Sequence, residues 1–290
     1  MIFSPLQRLL PAAAALLLAG CGMLRQGAVG LVAPVADNLA LSLQRQTDLQ
    51  LVEDGVPALI LLLDGLVLSA PENTGLRLAA AEAYTSYAGA FSDPDDKARA
   101  AELFGRAKTY ALDVLGRNKR FKAALDDPQA DFDAAVKNFR KRDVPALYAA
   151  ATAWTGWIIS NSDSVAATAD LSRAMALMQR VMDLDRGYRQ GGADTFFGIY
   201  RCILPRGAGQ DLARAREHFE SAIRYAGPDY LFPKVTLAEF YARYSFDREL
   251  HDRMLNDVVA RTGTPPEFGL MNAVARKRAK ALLAAADDWF

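Results

Sequence analysis

Small and large apolar residues recur at helical spacing along most of this chain, and that spacing constrains the fold more than any other feature. Ala215, Phe219 and Ala222 stand four and three residues apart in ARAREHFESAIRYAGP. The same offsets recur in three further stretches, at Ala100-Phe104-Ala107, Ala174-Met178-Val181 and Leu59-Leu63-Leu66. On a helix they place all three side chains on one face, where small residues admit a neighbouring helix and the large one fills its groove. Because no stretch alternates convincingly like a strand, the sequence predicts an all-α fold.

These four stretches resemble the second helices of tetratricopeptide repeats, in which Ala, Phe, Ala and Pro stand at the same offsets. First-helix patterns adjoin them, for example LYAAATAW and VTLAEFYARY. The resemblance implies a tetratricopeptide-like helical-hairpin solenoid of four or five divergent repeats. The repeat step widens between Ala100 and Ala174, which leaves room for an insertion at about residues 116–144. That insertion is predicted to hold a helix capped by Asp127 with Pro128 at its first position.

The first 20 residues have the features of an export signal, because Arg8 precedes an apolar run too short to cross a bilayer. Cys21 follows Leu18-Ala19-Gly20 directly, which resembles a bacterial lipobox. The resemblance implies cleavage before Cys21 and acylation of that cysteine, which is enough for stable anchoring. An ordinary signal peptide with a chance cysteine is the alternative. The predicted organisation is a signal peptide over 1–20, a tether over 21–36 and a helical domain over 37–290.

The charge balance of the chain and the residue that follows Cys21 indicate where the protein is located and which partners it can bind. The chain balances 34 basic against 34 acidic residues, without the basic excess typical of nucleic-acid binding. No apolar run after residue 20 is long enough to span a membrane. Gly22, rather than aspartate, follows Cys21 and favours the outer membrane. We therefore expect a lipid-anchored periplasmic protein that meets the membrane only through its lipid.

The sequence offers little of the chemistry that an enzyme needs. Its two histidines, His218 and His251, form no HExxH motif, and no CxxC is present for zinc. We expect both histidines to lie on the surface or between helices, and Cys202 in IYRCIL to be a buried thiol. Asp211 and the pairs Asp95-Asp96 and Asp126-Asp127 are expected at helix starts. The sequence thus predicts a protein that is not an enzyme and needs no cofactor or metal.

Aromatic residues on the predicted first helices are the candidates for a binding site. First helices line the concave face of a repeat solenoid, where aromatic side chains build an apolar ligand cleft. The alternative for each is a place in the core between repeats. The eight candidates are Tyr84, Tyr87, Tyr148, Trp154, Trp157, Phe196, Phe197 and Tyr200.

Four features together resemble the T-component lipoproteins of tripartite ATP-independent periplasmic (TRAP) transporters. One is the lipobox that ends at Cys21. A second is LPRGAGQDLARAREHFESAI at residues 204–223, with its Gly-rich turn, Asp and Ala-x-x-x-Phe helix. The others are KVTLAEFYARYSFDRELHDRML at 234–255 and the terminal LMNAVARKRAKALLAAADDWF at 270–290. The turn departs from the family pattern, because Gly207-Ala208-Gly209-Gln210 replaces a plain Gly-Gly before Asp211.

This resemblance implies a non-catalytic periplasmic protein that cooperates with the TRAP substrate-binding subunit. It also implies a capacity to form a homotrimer around a central pore and to pass a small hydrophobic or organic-acid ligand. The alternative function is an envelope scaffold lipoprotein that binds a protein or peptide on its concave face. An extended groove with polar side chains would favour the scaffold, and a closed cavity would favour ligand delivery.

Overall fold

The structure, a computed structural model, describes residues 38–39, 41–93, 96–207 and 209–290. From residue 49 onward these residues form thirteen α-helices and no strand, which confirms the predicted all-α class. The helices are α1 (Leu49–Ser69), α2 (Thr74–Phe91), α3 (Lys97–Leu115), α4 (Lys119–Ala124), α5 (Gln129–Val136), α6 (Val144–Ser160), α7 (Val165–Ala169), α8 (Leu171–Asp185), α9 (Tyr188–Ile203), α10 (Leu212–Ala226), α11 (Phe232–Thr236), α12 (Arg248–Ala260) and α13 (Gly269–Ala284). A π-helix, Leu237–Ala242, continues α11.

The predicted signal peptide, Cys21, Gly22 and the tether lie outside the described residues. The division into signal peptide, tether and helical domain therefore stays a prediction. Within the described residues, no helix combines the length and the hydropathy needed to cross a membrane.

Polar residues cap the helix starts, as the sequence indicates for Asp96 and Asp211. Asp211 Oδ1 accepts the backbone N–H of Arg214 at 3.0 Å, and Asp96 Oδ1 accepts that of Arg99 at 2.9 Å. Such a bond satisfies one of the N–H groups that a helix leaves open at its start. Seven of the described helices are capped by a side chain in this way, from Asp48, Asn73, Asp96, Asn118, Ser164, Asp211 and Asp247.

The helices pack mainly on their neighbours along the chain. The contacts run from α1 to α2, from α2 to α3, from α9 to α10 and from α12 to α13, and the short loops of the first two pairs are typical of αα-hairpins. Across the predicted insertion, α3 packs on α6, and α6 then packs on α8. The finer expectation, a tetratricopeptide-like solenoid, stays a prediction.

In two helix pairs, the large residue of the small-large-small pattern packs against a glycine of the neighbouring helix. Phe219 of α10 lies against Gly198 of α9, where a β-carbon would stand 3.0 Å from the ring. Phe104 of α3 lies against Gly156 of α6, where a β-carbon would stand only 2.4 Å away. In both helix pairs, the glycine has no side chain at the contact, and the two helix backbones can therefore approach closely.

The segment predicted to be an insertion forms two short helices, α4 and α5, around three buried phenylalanines. The Phe121 ring lies 5.4 Å from Phe132 and 5.1 Å from Phe139, between ring centroids. A helix begins near Pro128 as predicted, but the predicted cap is wrong. The backbone of Pro128 is extended (ψ 153°), so the helix starts one residue later, with Pro128 as its cap and no side-chain cap bond. Asp127 therefore stands one residue too early to cap it.

The start of α13 lies against the first helical residues of the described chain. A β-carbon on Gly269 would stand 2.8 Å from the carbonyl oxygen of Arg45. Leu270 packs against a core cluster that includes Val52 and Val56 of α1. The two ends of the described helical array are therefore in contact.

Candidate functional site

A left-handed turn opens α9 and positions the first residue of the candidate site. Arg189, Gln190 and Gly191 have φ of 51°, 53° and 75°. Left-handed backbone costs a residue with a side chain about 1–2 kcal/mol, and two of these three carry one. Gly191 also lies against α10, because a β-carbon there would stand 3.1 Å from Cα of Ala222. Strained backbone of this kind persists where the surrounding structure holds it and is common at binding sites.

The turn brings Arg189 to a carboxylate 107 residues earlier in the chain. Arg189 Nη2 donates to Glu82 Oε2 of α2 at 2.8 Å, and the guanidinium lies 5.8 Å from the Tyr188 ring centroid. Burial opposes the charge of Arg189, but Glu82 and Tyr188 outweigh it and raise the pKa of Arg189 above its ordinary value. The guanidinium is therefore charged at every physiological pH.

Three tyrosines surround this ion pair. The Tyr148 ring of α6 lies 5.4 Å from that of Tyr188, and its hydroxyl fills the space where a β-carbon on Gly192 would stand. Burial raises the pKa of Tyr148 to about 12. Burial raises the pKa of Tyr230, and the positive charge of Arg189 acts in the opposite direction on the same hydroxyl.

We call Glu82, Tyr148, Tyr188, Arg189 and Tyr230 the Arg189 cluster. The three tyrosines are half-buried, and the side chains of Arg189 and Glu82 are 42% and 38% exposed. Together these residues offer one guanidinium and three phenol hydroxyls to an anion, and aromatic faces to an apolar body.

Among the eight aromatic candidates, only Tyr148 belongs to the Arg189 cluster. Tyr84 is buried, and its hydroxyl donates to Asp64 Oδ2 at 2.7 Å, while Tyr110 donates to the other oxygen at 2.8 Å. Tyr87 is half-buried with its ring centroid 5.7 Å from that of Phe91. These two residues of α2 thus lie in the packing between α1, α2 and α3.

The tryptophans and phenylalanines occupy other surroundings. Trp154 is buried, and its indole N–H donates to Asp170 at 3.0 Å, whereas Trp157 is half-buried beneath Lys108. Phe197 is buried against the His218 ring at 5.8 Å between centroids. The two half-buried candidates on α9 lie beside neighbouring side chains, Phe196 against Phe197 and Tyr200 near Arg201. The eight aromatics therefore do not line one common cleft.

Asp194 of α9 is a buried carboxylate that contacts a serine and a histidine, the residue types of a catalytic triad. It accepts from Arg186 at 2.8 and 2.9 Å, from Ser221 at 3.0 Å, and lies 2.8 Å from His218 Nδ1. Serine and histidine both bond to the carboxylate rather than to each other, so histidine is not placed to activate serine. The network ties α9 to α10 and to the end of α8. In the described part of the chain, no group of His, Cys, Asp and Glu is arranged to hold a metal.

The remaining polar predictions can be placed as well. Cys202 is fully buried, as predicted. His218 lies between α9 and α10, and His251 is buried against the rings of Trp289 and Phe290, so both lie between structural elements.

The sequence does not predict the other four members of the Arg189 cluster as binding residues: Glu82, Tyr188, Arg189 and Tyr230. Their positions span about 150 residues, and helical spacing relates none of them to the others. The one local signal is RGYRQGG at 186–192, where paired glycines follow polar residues inside an otherwise helical pattern.

Comparison with known proteins agrees with the helical array and its extent. The family model described as TRAP transporter T-component matches residues 45–290, which is nearly all of the described chain. The chain is also 24% identical over 269 residues to an uncharacterized protein of Treponema pallidum (strain Nichols), covering 84% of this chain and 81% of that protein. This protein belongs to the TRAP transporter T-component family, which associates it with a TRAP transporter.

Proposed function

We propose that this protein is a lipid-anchored periplasmic component that binds a small organic anion at the Arg189 cluster and presents it to the substrate-binding subunit of a TRAP transporter. The role is non-catalytic. The observation that carries the proposal is a charged guanidinium, held by a strained turn and paired with Glu82, beside half-buried tyrosines.

The chemistry of the cluster supports an anion with an apolar body. A planar guanidinium binds carboxylates through parallel hydrogen bonds, and phenol hydroxyls add donors around it. Glu82 occupies part of the guanidinium's hydrogen-bonding capacity, so a ligand carboxylate would share or replace that contact. The aromatic faces of Tyr188 and Phe268, which lies 5.2 Å from Tyr230 between ring centroids, suit an apolar chain or ring.

The anchor and the location rest on the residue pattern before residue 38. An export signal followed by Leu-Ala-Gly-Cys supports acylation at Cys21 and an envelope location, with Gly22 favouring the outer membrane. Residues 21–36 would then tether the helical domain at the membrane surface.

The first experiment isolates the tagged full-length lipoprotein from its native envelope under gentle conditions. Mass spectrometry then identifies the co-purified proteins and the small molecules released on denaturation. We expect a TRAP substrate-binding subunit and an organic anion. Recovery of envelope-assembly proteins without a small molecule would overturn the proposal and favour a scaffold function.

Matched arginine variants connect the anion to the cluster. Arg189→Gln removes the charge paired with Glu82 beside the tyrosines, and Arg224→Gln removes one from the exposed surface of α10. We expect the released anion to be lost from Arg189→Gln and retained by Arg224→Gln, with both variants showing the far-ultraviolet circular dichroism of the parent. Equal retention by the two variants would place the ligand elsewhere.

A further inference from the structure

A second feature of the molecule is a groove of about 620 Å³ between α3 and α6. Its walls combine small residues, Ala101 and Gly105, with two aromatic rings, Tyr110 and Trp157. The groove is largely open to solvent, and both apolar and polar groups line it. The polar groups here are the cations Arg106 and Lys108, the Glu102 carboxylate, the hydroxyls of Thr109 and Tyr110, and the indole N–H of Trp157.

Lys108 is the central cation of the groove. Its ammonium lies 3.8 Å from the Trp157 ring centroid and 4.9 Å from that of Trp154. The nearest carboxylate, that of Asp170, lies at 4.0 Å and already accepts the indole N–H of Trp154. Burial lowers the pKa of Lys108, and Asp170 offsets this only in part. The ammonium is therefore a cation on aromatic faces with an incomplete set of anionic partners.

Trp157 presents a free donor to the same space. Gly105 lies beside the pyrrole edge of this indole, with a β-carbon position 3.7 Å from Nε1. Among the described residues, none accepts a hydrogen bond from Trp157 Nε1, although Trp154 Nε1 has its acceptor in Asp170. Because Gly105 carries no side chain, the edge of the indole remains open toward the groove.

Arg106 adds a second cation at the rim. Its side chain is 55% exposed and lies 3.8 Å from Asp64 and 3.6 Å from Glu102. Asp64 is already engaged by the hydroxyls of Tyr84 and Tyr110. The groove thus holds two cations, one carboxylate that already pairs with Arg106, and the indole donor of Trp157, beside the small residues Ala101 and Gly105.

We propose that this groove is a second binding site, for a small aromatic carboxylate whose anionic group meets Lys108 and the Trp157 indole N–H while its ring lies over Ala101 and Gly105. The site is separate from the Arg189 cluster. Trp157 follows Tyr148 by nine residues on α6, which is two and a half turns and places the two side chains on opposite faces of the helix.

Fluorine NMR of full-length protein labelled with 5-fluorotryptophan tests this site directly. The chain has three tryptophans, and single Trp→Phe variants assign the three signals. Benzoate is the probe, and benzamide is its neutral counterpart of the same shape. We expect benzoate to shift the Trp157 signal in a saturable manner, to leave the Trp289 signal in place, and to act at least tenfold more strongly than benzamide. Absence of a saturable Trp157 shift, or equal shifts with both probes, would overturn the proposal.

Charge variants locate the anion contact. Lys108→Met keeps the length of the side chain without its charge, and we expect it to weaken benzoate binding at least tenfold. Lys108→Arg is expected to bind within a fewfold of the parent, and Lys119→Met on exposed α4 is the matched control. Unchanged affinity in Lys108→Met would show that the ammonium has no part in binding. Arg189→Gln is expected to leave the Trp157 response intact, which separates this site from the function proposed for the Arg189 cluster.

Discussion

Phe104 packs its ring against the α-carbon of Gly156, at the point where α3 crosses α6. A β-carbon on Gly156 would stand 2.4 Å from two ring carbons and 2.7 Å from the carbon that joins the ring to its stem. Contacts this short require the ring or the helix to shift. This crossing therefore depends on glycine for steric reasons.

Gly156→Ala is expected to lower the free energy of unfolding by about 1–3 kcal/mol, because it overpacks the crossing of α3 and α6. The measurement is urea denaturation followed by circular dichroism. Gly65→Ala is the control, since no atom lies within 4 Å of its β-carbon position. Alanine is the better helix former by about 1 kcal/mol, so the control should be neutral or stabilising. Gly156→Ala with the stability of the parent would show that the crossing relaxes freely.

Asp194 is expected to make stability depend on pH in the acid range. Burial opposes ionisation of this carboxyl, but hydrogen bonds from His218, Arg186 and Ser221 outweigh it and hold the pKa of Asp194 below its ordinary value. In the unfolded chain the pKa of an aspartate is about 3.9. Its contribution is therefore complete above that pH and is lost as the pH falls through the lower, folded-state pKa.

Thermal unfolding between pH 2 and 6 measures this dependence. We expect Asp194→Asn to be less stable than the parent by about 2 kcal/mol at pH 6, since it weakens hydrogen bonds to a charged group. The difference should shrink toward pH 2. A constant difference across the range would assign the loss to side-chain packing rather than to the carboxylate charge.

At the left-handed turn that opens α9, we expect the addition of a side chain to destabilise the protein and the removal of one to be tolerated. Gly191→Ala puts a side chain at φ 75° and against Ala222, so we expect a loss of about 1–2 kcal/mol or more. Gln190→Gly removes a side chain from φ 53° and should be neutral or stabilising by up to about 1 kcal/mol. Equilibrium denaturation of the pair checks both signs, and a destabilising Gln190→Gly would mean that its side chain contributes contacts worth more than the strain.

Cys202 is expected to be inert toward thiol reagents in the folded protein. It is fully buried, and burial raises the pKa of its thiol to about 12, so the reactive thiolate is scarce at pH 8. The measurement uses Cys21→Ser protein and Ellman's reagent, with one equivalent released only after denaturant is added. Rapid labelling of native protein would show that this part of α9 opens readily.

The sequence predicts the helices and their packing faces well, because these depend on local spacing. Ala215, Phe219 and Ala222 are all fully buried, and Asp211 caps the helix that carries them. Cys202 likewise follows from its apolar neighbours. Each of these predictions uses residues within about one or two helical turns of one another.

The candidate site is harder to predict because its parts come from distant segments and an unusual backbone. Arg189 reaches Glu82 only because two residues with side chains adopt positive φ, and spacing rules assume ordinary helix geometry there. Tyr148 and Trp157 were grouped as candidates on one concave face, yet nine residues of α6 separate them by half a rotation. The prediction that Asp127 caps α5 is wrong for a related reason. The backbone of Pro128 is extended, so the helix begins one residue later than predicted.

The contact between Gly269 and Arg45 affects how the helical domain responds to the loss of a terminal helix. A stack in which each helix touches only its neighbours frays from its ends, one hairpin at a time. Here the two ends cover each other, so loss of α13 also uncovers part of α1, and the reverse. Truncation at either terminus should therefore loosen the opposite one, and amide exchange in α1 should report the removal of α13. Within the described residues, the first and last α-helices thus share a contact, and we expect them to unfold together.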